Sequence, residues 1–337
     1  MSTNNPLAGL ERLDGWDRTR VLLFALDNMI WPILLLASII FTIIVPVFSS
    51  PGNIEAMLFG AAGLSAIVLG ESLCLLSGHF DLSVGAIAGF SAIFTATLMT
   101  EWVPAMSGPT GIVVILLVGA TIGLLNGTSI AYLGVNPFLQ TLAFLIIFNG
   151  SVKLIATSAL AGLPEAYLYP GGGSIGPFPV AIVLMIVIYA GFGIWLKYSR
   201  IGRAIYSVGG NNQAAMEAGI NTDFVVILVY VLSGMLSALG GLLFTGFLGV
   251  APPTIGQNAV FPAFAAAVVG GVSLFGGRGH VVGAAGGVIL LASVESGLVL
   301  SGVEATAVDV VNGIVLLLAI LLYTMEDRFR RRLITKG

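Results

Sequence analysis

Between Arg20 and Lys153 the chain carries no lysine and no arginine. Few folds tolerate that. A soluble domain devotes roughly 25% of its residues to charge, whereas this chain of 337 residues devotes 9%, with 57% hydrophobic residues and a mean hydropathy of +1.05. Such a sequence is built for lipid, where every backbone N–H and C=O must be satisfied within the protein. A spanning helix needs about 20 predominantly apolar residues. Windows of that length occur at about 28–48, 54–77, 82–101, 110–133, 138–158, 178–197, 223–248, 259–275, 281–300 and 305–325. Turn chemistry separates them: "SSPGN", "SGHFD", "MSGP", "LGVNP", "PGGGSIGPFP", "APPTIGQN" and "FGGRGH". The expectation is an all-α polytopic membrane protein of about ten transmembrane helices. Its 45 glycines suit a tightly packed bundle, because small residues let membrane helices approach closely.

The basic residues set the orientation. With the N-terminus inside and ten spans, Arg12, Arg18, Arg20, Lys197, Arg200, Arg203, Arg278, Arg328, Arg330, Arg331, Arg332 and Lys336 all fall on the cytoplasmic side. Lys153 alone disagrees, at the outer end of its span, where it can snorkel. The division that follows is a cytoplasmic N-terminal segment at 1–27, a membrane domain at 28–325 with a cytoplasmic loop at about 198–222, and a basic cytoplasmic tail at 326–337. The first 27 residues are too polar for a cleavable signal peptide. Within the loop, "NNQAAMEAG" reads as a short helix capped by Asn211 or Asn212 and stopped at Gly219. Its residues allow either a docking helix or an ordinary surface helix.

Enzyme chemistry finds no support. None of the three lysines follows a glycine, so there is no phosphate-cradling loop, and no His/Cys/Asp/Glu set has metal spacing. "GGGSIG" lacks the strand that a nucleophile elbow requires. Cys74 reads as a small core residue. Ionisable residues inside spans are functional suspects. Glu101, Glu304 and Asp309 fall near outer span ends and are expected to be wet. Glu71 and Glu295 lie deeper, among small residues, and either line a polar route or pack helices together. Asn126, Gln140, Asn149 and Asn312 are the amides able to line a route for a hydroxylated solute, with Phe138, Phe144 and Phe148 as aromatic companions. Interhelical hydrogen bonding explains the amides equally well. Asp81 and Ser83, in "SGHFDLSVG", are placed to cap the third span, with His79 incidental or a hydrogen-bond partner.

Four collinear stretches resemble one family, the permease subunits of ribose-type carbohydrate ABC importers. They are "SGHFDLSVGAIAGFSA", "GLLNGTSIAYLGVNPFLQTLAFLIIFNG", "SRIGRAIYSVGGNNQAAMEAGIN" and "AAAVVGGVSLFGGRGHVVGAAGG", from about Ser77 to Gly287. The sequence departs from the family pattern at His79-Phe80 and at Ala218. The resemblance implies a type II ABC importer-like permease bundle in a prokaryotic cell membrane, with both termini cytoplasmic. It implies two permease chains forming the route, separate ATP-binding subunits that hold ATP and Mg, and an extracytoplasmic sugar-binding protein. It implies no cofactor or metal in this chain and no nucleic-acid partner. By resemblance the ATPase-coupling loop is Gly209, Gly210, Asn211, Asn212, Gln213, Ala214, Ala215, Glu217, Gly219 and Asn221. The route or gate would draw on Glu71, Asp81, Ser83, Asn126, Phe138, Gln140 and Asn149, with an inner-face turn of Gly276, Gly277, Arg278 and Gly279. The implied function is ATP-driven import of a monosaccharide by alternating access. The alternative is an ion-coupled secondary transporter using Glu71 with Asp81 or Glu295 as carriers.

Overall fold

A computed structural model describes residues 28–304 and, beyond them, 307, 310, 311, 313, 314, 317, 318, 321 and 325. The N-terminal segment, the basic tail, Asp309, Asn312 and most of the window at 305–325 lie outside the described residues.

The described chain is helical apart from one small hairpin. In order come α1 (Ile30–Ile44), α2 (Pro51–Leu76), α3 (Val84–Thr97), α4 (Gly108–Leu133), α5 (Pro137–Ile155), α6 (Glu165–Gly172), β1 (Ser174–Ile175), β2 (Phe178–Pro179), α7 (Val180–Tyr198), α8 (Arg200–Gly210), α9 (Asn212–Glu217), α10 (Thr222–Leu248), α11 (Val260–Val269) and α12 (Val281–Leu300). The strands pair antiparallel. A 3-10 turn at Pro46–Ser49 joins α1 to α2, and α3 runs on into a π-turn at Leu98–Trp102. The helix starts follow from short-range chemistry. Ser50, Ser107, Asn136, Ser199, Asn211 and Asn221 each accept a backbone N–H from the first turn of the helix they precede. Such a cap is worth about 1 kcal/mol.

Among the described residues, seven helices are long and apolar enough to cross a membrane. The count of ten is therefore approximate. The window at 28–48 forms a helix of 15 residues and that at 259–275 one of 10. The latter stops early because Gly270 and Gly271 end it, Gly271 in the left-handed region at φ 87°. The loop at 198–222 holds two helices, α8 and α9, where one was expected.

Burial sorts the long helices into two shells. The apolar windows of α2, α3 and α10 are 72%, 72% and 67% buried, against 33%, 11% and 22% for α4, α5 and α7, with α12 between them at 56%. Glycine permits close contact between α4 and α10. A methyl group on Gly119, Gly123 or Gly127 would strike the backbone of α10 at Gly234, Tyr230 or Ile227. In lipid such close approach supplies much of the packing energy, since apolar side chains gain little by leaving apolar surroundings.

Candidate functional site

Two features stand out where α2 ends, and both are assembled from segments far apart in sequence.

The first is a buried polar cluster around Asp81. After Leu76 the chain turns at Gly78 (φ 79°) and doubles back before α3 begins. Asp81 is 1% exposed. One carboxylate oxygen accepts the backbone N–H of Ser83 at 2.9 Å and also the Ser83 hydroxyl. The other accepts the hydroxyl of Ser233, on α10, at 3.3 Å. Asn126, on α4, donates its amide to Ser83 Oγ at 3.0 Å, and Tyr230, on α10, donates its hydroxyl to the Phe80 carbonyl at 2.7 Å. An aspartate that takes the N–H two residues ahead makes a local turn without neighbouring backbone, which lets non-helical chain sit inside the bundle. Ser233 lies roughly 16 Å along α10 from its start, so α3 begins well inside the bundle and not at its surface.

Glu71 completes the cluster. It is 2% exposed, and neither carboxylate oxygen has a hydrogen-bond partner. The Asp81 backbone N–H lies near without meeting hydrogen-bond geometry. Among the described residues no lysine or arginine is buried. Cys74 is fully buried beside Ser233 in the same cluster. His79 sits at the edge, its Nδ1 2.9 Å from the Ser77 carbonyl and its ring edge-on to Tyr230.

The second feature is a junction of glycines. Gly277 donates its N–H to the Leu76 carbonyl at 2.9 Å, clipping the turn before α12 to the end of α2. Gly209, near the end of α8, fits between them: a methyl there would collide with the Leu76 carbonyl and lie 2.6 Å from the Gly277 nitrogen. Gly276 faces Gly78 and Gly209 at similarly short range. Tyr206 donates its hydroxyl to the Gly279 carbonyl at 2.9 Å. Burial raises that hydroxyl above its ordinary pKa, so it remains a donor at neutral pH. Ser273 and the Arg278 carbonyl close the turn at 2.9 Å. The segments quoted as "SGHFD", "SVGGNN" and "FGGRGH" are thus one place in the fold.

From that junction α9 projects outward. Asn211 Oδ1 accepts the Ala214 N–H at 3.0 Å, and Gly219 ends the helix at φ 82°. Ala215 is buried, whereas Asn211, Asn212, Gln213, Ala214, Glu217 and Gly219 are exposed. Gln213 bonds Glu217 at 3.3 Å, and Asn221 caps α10 through the Phe224 N–H at 3.0 Å.

The remaining candidates lie elsewhere. Phe138 is 50% exposed on α5, and Gln140 and Asn149 are half-buried on the same outer helix. Phe144 and Phe148 continue an aromatic stack with Phe90 and Phe94 of α3. Sequence reasoning passed over Tyr230 and Ser233. A tyrosine and a serine within "ILVYVLSGML" give no local signal that one bonds the Phe80 carbonyl and the other the Asp81 carboxylate.

A bundle of long apolar helices with a buried polar centre defines a multi-pass membrane protein. The chain belongs to the family described as branched-chain amino acid transport system / permease component, which matches residues 53–320. It is 36% identical to the ribose import permease protein RbsC of Bacillus subtilis (strain 168), over 84% of this chain and 88% of the relative. It is 32% identical to the galactose/methyl galactoside import permease protein MglC of Escherichia coli (strain K12), over 87% and 92% respectively. It is 30% identical to the D-allose transport system permease protein AlsC of the same organism, over 82% and 84%. No solved structure matches the chain.

Proposed function

We propose that this chain is the membrane-spanning subunit of an ATP-driven, binding-protein-dependent importer of a neutral monosaccharide. ATP is bound and hydrolysed, with Mg, by separate subunits. Two permease chains form the route, and a sugar-binding protein delivers the solute from outside. The family and the sugar permeases among its relatives support the substrate class. The observation that carries the mechanism is the glycine junction. An exposed helix, α9, starts three residues after Gly209, which is close-packed against the end of α2 and the turn before α12. A force applied to α9 by a docked ATPase therefore reaches two bundle helices through backbone, with little slack. The distribution of basic residues supports a cytoplasmic location for this end and for both termini.

The buried Glu71–Asp81 pair favours a second reading, an ion-coupled carrier. One experiment separates them. Proteoliposomes containing the permease, its ATP-binding subunits and loaded binding protein should accumulate sugar only with ATP. Uptake by the permease alone, driven by a proton or sodium gradient, would refute the ATP-driven reading.

A further inference from the structure

Two cations from different helices converge on one tyrosine at the end of α7. That helix has 19 residues. At 1.5 Å per residue it is about 28 Å long, close to the roughly 30 Å hydrocarbon core of a bilayer. Val183, Ile186, Ala190 and Ile194 are exposed at intervals of three or four residues, so they form one stripe along it. The stripe is apolar until its last turn, where it ends in Lys197 and Tyr198, both exposed. Tyrosine and lysine at the end of a spanning helix sit at the level of lipid headgroups.

Ser199 alone separates α7 from α8, and its extended backbone turns the chain sharply. Arg203, one turn into α8, therefore reaches back, and its Nη1 donates to the Tyr198 carbonyl at 3.1 Å. Lys197 Nζ lies 5.3 Å from the centre of the Tyr198 ring, within range of a cation–π contact. One residue thus holds a cation on its ring and another on its backbone. Ile205 and Val208 turn the apolar face of α8 into the bundle, which leaves Arg200 and Arg203 exposed on the opposite face. Among the described residues, no carboxylate pairs with Lys197, Arg200 or Arg203.

We infer that Lys197, Arg200 and Arg203 seat the phosphate of an anionic phospholipid, with its acyl chains along the apolar stripe of α7. The lipid belongs to the leaflet at this end of the bundle, the inner one in the proposed orientation. Guanidinium groups bind phosphate through paired N–H bonds, and Arg203 keeps further donors beyond the one on Tyr198. Continuity of charge with the stripe favours a lipid over a soluble anion, which would leave that stripe unused. Depth favours it over an acidic protein: Tyr198 fixes both cations at the headgroup level, whereas a soluble subunit meets α9. The seat is independent of what drives transport.

The test titrates the full-length chain, purified in a neutral detergent, with fluorescent phosphatidylglycerol and with fluorescent phosphatidylcholine of equal acyl length. Phosphatidylglycerol should bind about tenfold or more tightly. Lys197→Gln and Arg203→Gln should each weaken its binding about fivefold, and the double variant about 25-fold. Arg203→Lys, which keeps the charge, should lose less than Arg203→Gln. Lys153→Gln, in the last turn of α5, removes a charge elsewhere and should change binding less than about twofold. All three positions are exposed, so the variants should fold, which unchanged thermal unfolding checks. Equal affinity for the two lipids, or a double variant that binds phosphatidylglycerol as wild type does, would overturn the inference. Glycerophosphoglycerol, the same headgroup without acyl chains, should compete about a hundredfold more weakly than the lipid. Competition as strong as the lipid's would make this a site for a soluble phosphate ester and would also overturn it. A double variant with unchanged lipid binding that loses its second permease chain or its ATP-binding subunits would assign the patch to a protein partner instead.

Discussion

Gly209 and Gly210 are neighbours at the end of α8, and replacing each by alanine should give opposite results. Neither has a positive φ, and both are helical. On intrinsic preference alone, alanine should stabilise either position by up to ~1 kcal/mol. Packing separates them. Around Gly210 nothing lies within 4 Å of an added methyl. At Gly209 the methyl would overlap the Leu76 carbonyl and crowd the Gly277 nitrogen, at 2.6 Å. Those atoms are the acceptor and donor of the hydrogen bond that clips the turn before α12 to α2. Both belong to backbone, so neither can rotate aside. Forcing them apart strands a buried donor and acceptor, at about 1–3 kcal/mol, and overpacking adds about 1–3 kcal/mol. Set against the propensity gain, Gly209→Ala should destabilise by about 1–5 kcal/mol, while Gly210→Ala should be neutral or slightly stabilising. Thermal unfolding of the detergent-purified transporter, followed by size exclusion, reads the first effect. ATP-driven uptake per ATP hydrolysed reads the second, and should fall only for Gly209→Ala. Two variants indistinguishable from one another in both assays would refute the junction as a rigid connection.

Asp81→Ala removes the acceptor of three donors, the Ser83 N–H and the Ser83 and Ser233 hydroxyls. At about 1–3 kcal/mol per stranded group, membrane-inserted yield or uptake should collapse, and normal uptake at normal expression would exclude the proposed role. His79→Gln, at the edge of the same cluster, should keep uptake within about twofold of wild type, since its bonds are local to the turn. Tyr230→Phe loses one hydrogen bond to the Phe80 carbonyl and should lower unfolding stability by about 1–2 kcal/mol without abolishing assembly. Asn211→Ala with Asn212→Ala removes the α9 cap, worth about 1 kcal/mol, along with exposed amides at its tip. Co-purification of the ATP-binding subunits should weaken markedly, and intact association with intact coupled uptake would show that these positions do not form the dock.

What could be read from the sequence was what short-range physics decides. The Asn211 cap and the Gly219 stop act over a few residues, so composition and spacing reveal them. Lengths of apolar runs likewise locate the helices, because lipid thickness imposes the length. The exception at 259–275 is instructive. Hydropathy continues through Gly270 and Gly271, but the backbone does not, and small residues that elsewhere pack helices here end one. Asp81 announced itself as a charge between apolar runs, and its bond to the Ser83 N–H is local. Its partner Ser233 on α10 lies 152 residues away in the chain, and Asn126 on α4 reaches Ser83 from 43 residues away; no pattern around Asn126 or Ser233 records that. The same holds for the segment before α11. Glu295 drew notice as an ionisable residue in a span, but Thr254 and Asn258 read as ordinary turn residues in "APPTIGQN". Only the fold shows that turn pressed against α3, its Ile255 and Gly256 carbonyls on Gly89 and Gly85.

One chain of backbone contacts runs from the exposed helix to the segment before α11. Gly209 abuts the Leu76 carbonyl, and Leu76 leads through Gly78 into the turn that Asp81 holds. That turn ends at Ser83, and two residues later Gly85 presses on the Gly256 carbonyl in the segment before α11. At each end of this route the contact is glycine against backbone. A side chain at either point would act as a spring, with rotamers able to absorb a displacement of an ångström. Glycine removes that slack. The Asp81 cluster does the same within the turn by fixing three donors on one carboxylate. Under the proposed function this gives the buried aspartate a mechanical task and not a carrier's. A carrier must release its ion on each cycle, whereas Asp81 is committed to bonds that hold the turn together. Glu71, beside it, makes no hydrogen bond that an ion-carrying cycle would have to break, which is why the ion-gradient assay, and not mutation of Asp81, is the measurement that separates the two transport readings.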